Sequence, residues 1–269
     1  MSGSPKAFSG SPAELYERHL VPLLFEPHAR ILASRLSSLH RGQVLEIAAG
    51  TGVVTRALCE TLPSDVQIIA TDLNQLMLEQ AMAVPGMDRV HWKVADAMSL
   101  PFDDETFDAI VCQFGAMFFP DKGAAFTEAN RVLKPGGTLL SSVWDRMERN
   151  VINRVYQDIL EELFPENPPR RMLDPFTYSD PDVIRADLAS TGFTSIDIEV
   201  VPEWCRADSA REAALALAYG HPVRGEIEAR IPEHLGRATR LLTERLCARY
   251  GSGSVAIPNQ ALLATARRP

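Results

Sequence analysis

The stretch Val44-Leu45-Glu46-Ile47-Ala48-Ala49-Gly50-Thr51-Gly52 constrains this chain more than any other. An apolar run over Gln43–Ala48 ends at small residues and glycines, and Val53–Thr61 takes up helical composition. That is a strand, a glycine turn and a helix. Glycines at such a turn let a ligand approach bare backbone, and the helix start presents free N–H groups. The alternation then recurs. Val66–Thr71 reads as a strand ending at Asp72, and Asn74 caps a helix to about Ala83. Val90–Val94 is a third strand ending near Asp96, and Phe107–Phe114 a fourth. Lys122–Leu133 is a helix, Pro135-Gly136-Gly137 a turn and Thr138–Val143 a fifth strand. Strands alternating with helices dictate βαβ units and a mainly parallel sheet.

The flanks are more helical. Ser11-Pro12-Ala13-Glu14 has the form of a capping box opening a helix to about Leu20, where Pro22 interrupts it; a second helix covers about His28 to Leu39. After the fifth strand, two apolar rows, Val151/Val155/Ile159/Leu163 and Ile152/Tyr156/Leu160/Phe164, give one helix a broad apolar stripe. A Pro-rich loop, Pro165–Pro175, follows. Asp180-Pro181 starts a helix that stops at Gly192, and Thr194–Val201 is a sixth strand. Ser209-Ala210-Arg211-Glu212 opens another helix, and Glu233–Tyr250 is the last. Val255–Thr265 closes the chain as a strand in which Pro258 marks an edge or a bulge. Residues 1–10 are Ser-, Gly- and Pro-rich and read as a disordered start. Residues 11–269 read as a single domain: a helical cap over 11–40, a core over 41–145, and a substrate or lid region with closing strands over 146–269.

Charge and cysteine usage exclude several classes. The formal net charge is −8, which argues against an unaided nucleic-acid groove. The four cysteines form no C-x-x-C pair, so neither a zinc site nor any other metal is expected, and they suit a reducing compartment. No run of about 20 apolar residues and no apolar signal core at the start are present. The chain is therefore expected to be soluble and cytoplasmic, with no membrane insertion and with a homodimer left open.

The turn is not the dinucleotide fingerprint G-x-G-x-x-G, because Ala48 stands at the first glycine position and nothing after Gly52 supplies the third. Asp72, at the end of the second strand, suits a ribose in either of two cofactor classes. The set discriminates between them. LEIAAGTG, ATDLNQLMLEQA, VADAMSLPF, FDAIVCQFGAMFF and RVLKPGG together resemble class I S-adenosylmethionine (SAM)-dependent methyltransferases, above all the group containing ubiquinone/menaquinone C-methyltransferases. The likeness spans roughly residues 40–145. It departs at Ala48 and Ala49, where that family often has Gly and Cys, and at Glu46, often Asp.

The resemblance implies a seven-stranded, doubly wound, Rossmann-like α/β sheet with helical lid insertions and a pocket at the C-terminal strand ends. It implies that Glu46 and the backbone of Ala48, Ala49, Gly50, Thr51 and Gly52 hold the methionine end of SAM. Asp72 would take the ribose hydroxyls, with Leu73 and Met77 against the adenine. Asp96 and the Ala97 N–H would meet the adenine edge, and Gln113 and Phe114 would stand beside the sulfonium. The product would be S-adenosylhomocysteine. Composition, rich in Leu, Phe, Tyr and Pro over the N-terminal helices and residues 145–255, predicts a lid carrying Tyr16, Tyr156 and Phe164 and a small, apolar or aromatic acceptor. His19 and His221 are the candidate bases, although the chemistry rests mainly on positioning. Two alternatives stay open: a cyclase or decarboxylase that binds SAM without methylating, and a non-catalytic SAM-binding protein. A nicotinamide-dependent oxidoreductase is disfavoured by the missing glycine.

Overall fold

The computed structural model describes residues 11–269; the expected disordered start lies outside the described residues. In chain order the elements are α1 (Pro12–Leu15), a π-helical stretch (Tyr16–Phe25), α2 (Glu26–Ser34), β1 (Gly42–Ile47), α3 (Val53–Thr61), β2 (Val66–Asp72), α4 (Gln75–Met82), β3 (Val90–Val94), β4 (Phe107–Gln113), α5 (Lys122–Val132), β5 (Leu133–Trp144), α6 (Val151–Leu163), α7 (Pro181–Ser190), β6 (Thr194–Ala207), α8 (Ala210–Gly220), α9 (Val223–Arg230), α10 (Glu233–Tyr250) and β7 (Val255–Arg267).

Helix starts follow the sequence signals. Ser11 and Glu14 cap each other reciprocally: Ser11 N–H donates to Glu14 Oε2 at 2.7 Å and Glu14 N–H to Ser11 Oγ at 3.2 Å. Asn74 caps α4, Asp180 caps α7 and Ser209 caps α8, each accepting a backbone N–H two or three residues on.

Two elements depart from expectation. Pro22 does not end the first helix. The chain passes through it in the wider π register, in which Glu26 N–H donates to Val21 O, and continues directly into α2. A proline ring crowds the carbonyl one α-turn back and brings no N–H; an extra residue in the turn relieves both. Helix α9 was not anticipated, because its only buried apolar residues are Val223 and Ile227, too few to set a visible period.

The strands form one seven-stranded sheet in the order β3-β2-β1-β4-β5-β7-β6. β1 lies parallel between β2 and β4, and β7 runs antiparallel to β5. The strand order reverses between β1 and β4, which opens a crevice beyond their carboxyl ends. β7 is interior despite Pro258, because its pairing with β5 begins only at Ala261.

Contacts divide the described chain into two compact units. The sheet unit comprises His28–Asp145, Tyr178–Val201 and Ala261–Pro269; the mostly helical unit comprises the described residues through Pro27, Arg146–Thr177 and Pro202–Gln260. In the sheet unit, Val44, Ile68 and Val111 of the strands form one buried core with Leu32 of α2, Leu58 of α3 and Leu78 of α4. In the helical unit, α8 packs on the π-helical stretch and on α10, and α10 packs on α6. The row Ile152/Tyr156/Leu160/Phe164 is buried throughout, as are Ile159 and Leu163 of the other row.

Gly220 marks a close approach in the helical unit. A Cβ there would stand 2.9 Å from Leu20 Cβ and 3.4 Å from Leu15 O, neither of them the far end of a flexible side chain. Gly220→Ala is expected to lower unfolding free energy by roughly 1–3 kcal/mol. A urea titration would show this as a lower midpoint at unchanged m-value; an unaltered midpoint would mean that the contact relaxes freely.

Candidate functional site

β1 ends at Ile47, and the chain turns through Ala48–Gly52 into α3. Ala48 (φ 57°), Gly50 (φ 57°) and Gly52 (φ 82°) all occupy the left-handed region. Glycine reaches it without strain, whereas alanine does not. Phe114, directly after β4, is also left-handed at φ 53°. Ala48 lies against Gly115, the residue after Phe114, where a Cβ would stand 2.5 Å from Ala48 Cβ and 2.9 Å from Cys112 Sγ. The ends of β1 and β4 therefore leave no room for a side chain at Gly115.

Asp72 fastens the turn to β2. Its Oδ2 accepts the Gly50 N–H at 2.8 Å, and its Oδ1 accepts the Asn74 N–H at 2.8 Å. Alongside, Ala49 N–H donates to Thr71 O at 2.9 Å. An ionised carboxylate has about four acceptor positions, so two stay open to a ligand. Beside it the structure leaves apolar surface in water: Leu73 is 71% exposed and Leu76 67%. Met77, in the first turn of α4, is partly buried. A Cβ on Gly50 would meet nothing within 4 Å, so the space in front of the turn is open. The Thr51 hydroxyl is buried, with no hydrogen-bond partner among the described residues.

Glu46 is fully buried at the end of β1. Thr55 Oγ1 donates to its Oε2 at 2.6 Å, and its carbonyl accepts the Thr71 hydroxyl at 2.8 Å. Burial pushes the Glu46 carboxyl up to about 8; the Thr55 hydrogen bond opposes the rise and the Asp72 charge adds to it.

Asp96 follows β3. Its Oδ1 accepts the Met98 N–H at 2.9 Å, and its carbonyl accepts the Ser99 N–H at 3.0 Å; Ala97 between them is buried. Helix α5 holds this loop. Glu128 Oε2 accepts the Leu100 N–H at 2.8 Å, while Arg131 donates to Leu100 O at 2.9 Å and Phe102 O at 2.8 Å. The Arg131 guanidinium keeps the Glu128 carboxyl below its usual range.

Phe114 anchors an aromatic cluster that the sequence did not announce. Its ring stacks on Trp144, with centroids 3.8 Å apart and planes at 12°, and the edge of buried His28 meets both rings at 5.5 and 5.4 Å. Gln113, preceding it, is buried, and Phe118 is 58% exposed shortly after. His28 had no motif around it, so only the fold reveals its place.

The remaining predicted residues lie in the helical unit. Tyr16 packs its ring on Phe25 at 5.3 Å, and Phe164 packs on His234 at 4.9 Å. Tyr156 is fully buried, and His19 is partly buried on the π-helical stretch. His221 is buried between α8 and α9, and its Nδ1 accepts the Val223 N–H at 3.1 Å. Burial pulls its pKa down to about 4, so the neutral ring carries its proton on Nε2 and its lone pair is engaged. That geometry is a turn cap, not a base. Among the described residues no group of His, Cys, Asp and Glu could hold a metal ion.

Comparison with known proteins locates this arrangement. A family description reading "Methyltransferase domain" matches residues 44–137. The ubiquinone/menaquinone biosynthesis C-methyltransferase of Escherichia coli O139:H28 is 30% identical over 176 residues, covering 60% of this chain and 70% of that protein. The chain spans about half the length of the first curated relatives it matches, 51% and 50% of two of them. Among solved structures, the YcgJ protein of Bacillus subtilis superposes with a TM-score of 0.58 at 20% identity, over 90% of this chain and 99% of that one. The cyclase SpnF superposes with a TM-score of 0.57 at 21% identity, over 91% and 80%.

The buried Glu46 makes stability depend on pH. Its carboxyl titrates near the ordinary 4.5 when unfolded and near 8 when folded. Between those values only the folded state holds the proton, so stability falls as pH rises through the window and levels off above it. Glu46→Gln keeps an acceptor for Thr55 and removes the titration. Urea unfolding at a series of pH values is expected to show the wild type losing ground to this variant between pH 4.5 and 8; a constant difference would mean that Glu46 is ionised throughout.

Proposed function

The chain belongs to the class I SAM-dependent methyltransferases, and from that premise we propose that it transfers the methyl group of SAM to a small-molecule acceptor, leaving S-adenosylhomocysteine. The observation that carries this reading is the Asp72 carboxylate clasping the Gly50 N–H at the crevice where the strand order reverses. The residues present fit the cofactor. The space before Gly50 is open, the Thr51 hydroxyl lacks a partner among the described residues, and apolar Leu73 and Leu76 stand exposed beside the ribose-binding carboxylate.

In this reading Glu46 and the Ala48–Gly52 backbone hold the methionine end. Asp72 uses its two open acceptor positions on the ribose hydroxyls. Leu73, Leu76 and Met77 give the adenine an apolar face, while Asp96 and the Ala97 N–H meet its edge. When bound, SAM supplies an electrophilic methyl carbon to which the acceptor's lone pair bonds as the carbon–sulfur pair returns to sulfur. The chain's contribution is orientation, which can be worth up to ~7–11 kcal/mol. Gln113 and Phe114 would stand beside the sulfonium, and Phe114 is held at the end of β4 by Trp144 and His28. A neutral Glu46 keeps a second negative charge away from Asp72. His19 is the remaining candidate to accept an acceptor's proton.

The residues expected of a lid, Tyr16, Tyr156 and Phe164, all lie in the helical unit. All the cofactor residues lie on one chain, so the proposal holds for a monomer and a homodimer alike. A cytoplasmic location fits four free cysteines and, among the described residues, no helix long and apolar enough to cross a membrane.

Two measurements test the proposal. SAM and S-adenosylhomocysteine are expected to raise the melting temperature, by the equivalent of about 2.7 kcal/mol at 100 times Kd, and NAD is not; the reverse pattern would sink the assignment. Asp72→Ala is expected to weaken SAM binding roughly tenfold to a hundredfold by calorimetry, as loss of a charged acceptor does. Asp72→Asn, which keeps one acceptor oxygen, is expected to be milder.

A further inference from the structure

Arg131 of α5 has every donor of its guanidinium engaged, and most of them grip one loop. Nε and Nη2 donate to Glu128 Oε1 and Oε2, each at 2.7 Å. Nη2 also donates to Leu100 O at 2.9 Å, and Nη1 to Phe102 O and Asp104 Oδ1, both at 2.8 Å. Those bonds use all the N–H groups that an arginine side chain has. Glu128 lies one helical turn earlier on the same face of α5, and its Oε2 accepts the Leu100 N–H at 2.8 Å. Leu100 is therefore held by both of its backbone polar groups, one through each member of the Glu128–Arg131 pair. The main chain of Arg131 adds to this, since its carbonyl accepts the Glu105 N–H at 3.0 Å. From β3, Lys93 Nζ donates to Pro101 O at 3.3 Å.

The loop so held begins at Asp96. Ser99 N–H donates to Asp96 O at 3.0 Å, and the two residues form an isolated antiparallel bridge. A fixed Leu100 thus fixes Ser99 and, across the bridge, Asp96. The Asp96 carboxylate uses Oδ1 on the Met98 N–H, and its Oδ2 carries no hydrogen bond among the described residues. All these residues belong to the sheet unit. Ordering a long side chain on a surface loop costs entropy. A guanidinium saturated in this way sets the loop's position more narrowly than a connection between two strands requires.

We propose that Glu128 and Arg131 are positioning residues for base selectivity, holding the loop over 96–102 in one place so that Asp96 and the Ala97 N–H admit adenine and reject hypoxanthine. The inference rests on the methyltransferase reading, in which this loop meets the adenine edge. Adenine presents an amino donor beside an unprotonated ring nitrogen. Hypoxanthine presents a carbonyl oxygen beside a ring N–H, which reverses both. Against a fixed loop the Asp96 carboxylate then faces the oxygen and the Ala97 N–H faces the ring N–H, and both contacts repel. A loop free to shift lets Asp96 move across to the ring N–H, and the penalty is lost. Rejecting the wrong base therefore needs a loop that cannot slide, and the Glu128–Arg131 pair prevents sliding without touching the base.

The test is calorimetry on the full chain with S-adenosylhomocysteine and with S-inosylhomocysteine, which differs only in carrying hypoxanthine. The wild type is expected to bind the adenosyl compound more tightly by about tenfold or more, as when a charged acceptor loses its donor. Arg131→Met keeps the aliphatic stem and removes the fork. It is expected to weaken the adenosyl compound and to lower the ratio of the two affinities by about threefold or more, the value of one neutral hydrogen bond. Glu128→Gln keeps an acceptor for the Leu100 N–H and breaks only the charged pair. It is expected to lower the ratio in the same direction by less, and it decides the matter alone if Arg131→Met does not fold. A purely structural role would weaken both ligands by the same factor. The proposal is therefore overturned if the ratio is unchanged in both variants, or if the wild type does not distinguish the two bases. Failure of the wild type to bind either compound would instead remove the methyltransferase reading itself.

Discussion

The site depends on one carboxylate joining two pieces of backbone. Asp72 takes the Gly50 N–H with one oxygen and the Asn74 N–H with the other. The glycine turn after β1 and the start of the turn into α4 are thereby set by a single side chain at the tip of β2. Because β1 and β2 are parallel neighbours paired from Gly42↔Val66 through Ile47↔Thr71, their carboxyl ends arrive side by side. The carboxylate has only to close the last gap. A negative charge that accepts backbone N–H groups is stable where it sits, and it keeps unused lone pairs facing outward.

The neighbouring strand ends have the opposite character. Ala48 and Phe114 are held in a region that favours glycine, and the surroundings determine both. Gly115 lets the two strand tips close, and Trp144 stacked on Phe114 fixes the ring and with it the backbone. Strain of this kind persists only where packing over-determines it. Glu46 beneath them is buried and carries its proton well into the neutral range, so the interior behind the turn is polar without being charged.

Much of this could be read from residues alone because the signals are local. The turn at Ala48–Gly52, the strand-end acid at Asp72 and the caps at Ser11, Asn74, Asp180 and Ser209 each involve groups a few residues apart, and short apolar stretches such as Ala109–Cys112 mark the strands. What escaped reading needs the third dimension. His28 and Trp144 meet Phe114 from distant segments, and no period in the sequence joins them. His221 reads in the sequence as a candidate base, yet its Nδ1 accepts the Val223 N–H. Pro22 looked like a stop, but the chain had the option of a wider turn. The α6 rows were legible as apolar, whereas the buried Asn153 and Gln157 beside them were not, because a polar residue on a helix normally signals its solvent face.

The placement of β7 also bears on how the polypeptide emerges from the ribosome. The strand occupies the slot between β5 and β6, yet it follows every other strand in sequence. During translation β1 to β5 can assemble as parallel neighbours while β5 still presents an open row of amides and carbonyls, and β6 appears before it has a partner to lie against. Such an edge is a template for mispairing between nascent chains. The exposure of β5 lasts from α6 through α10, so the time those elements take to synthesise sets how long that edge stays open.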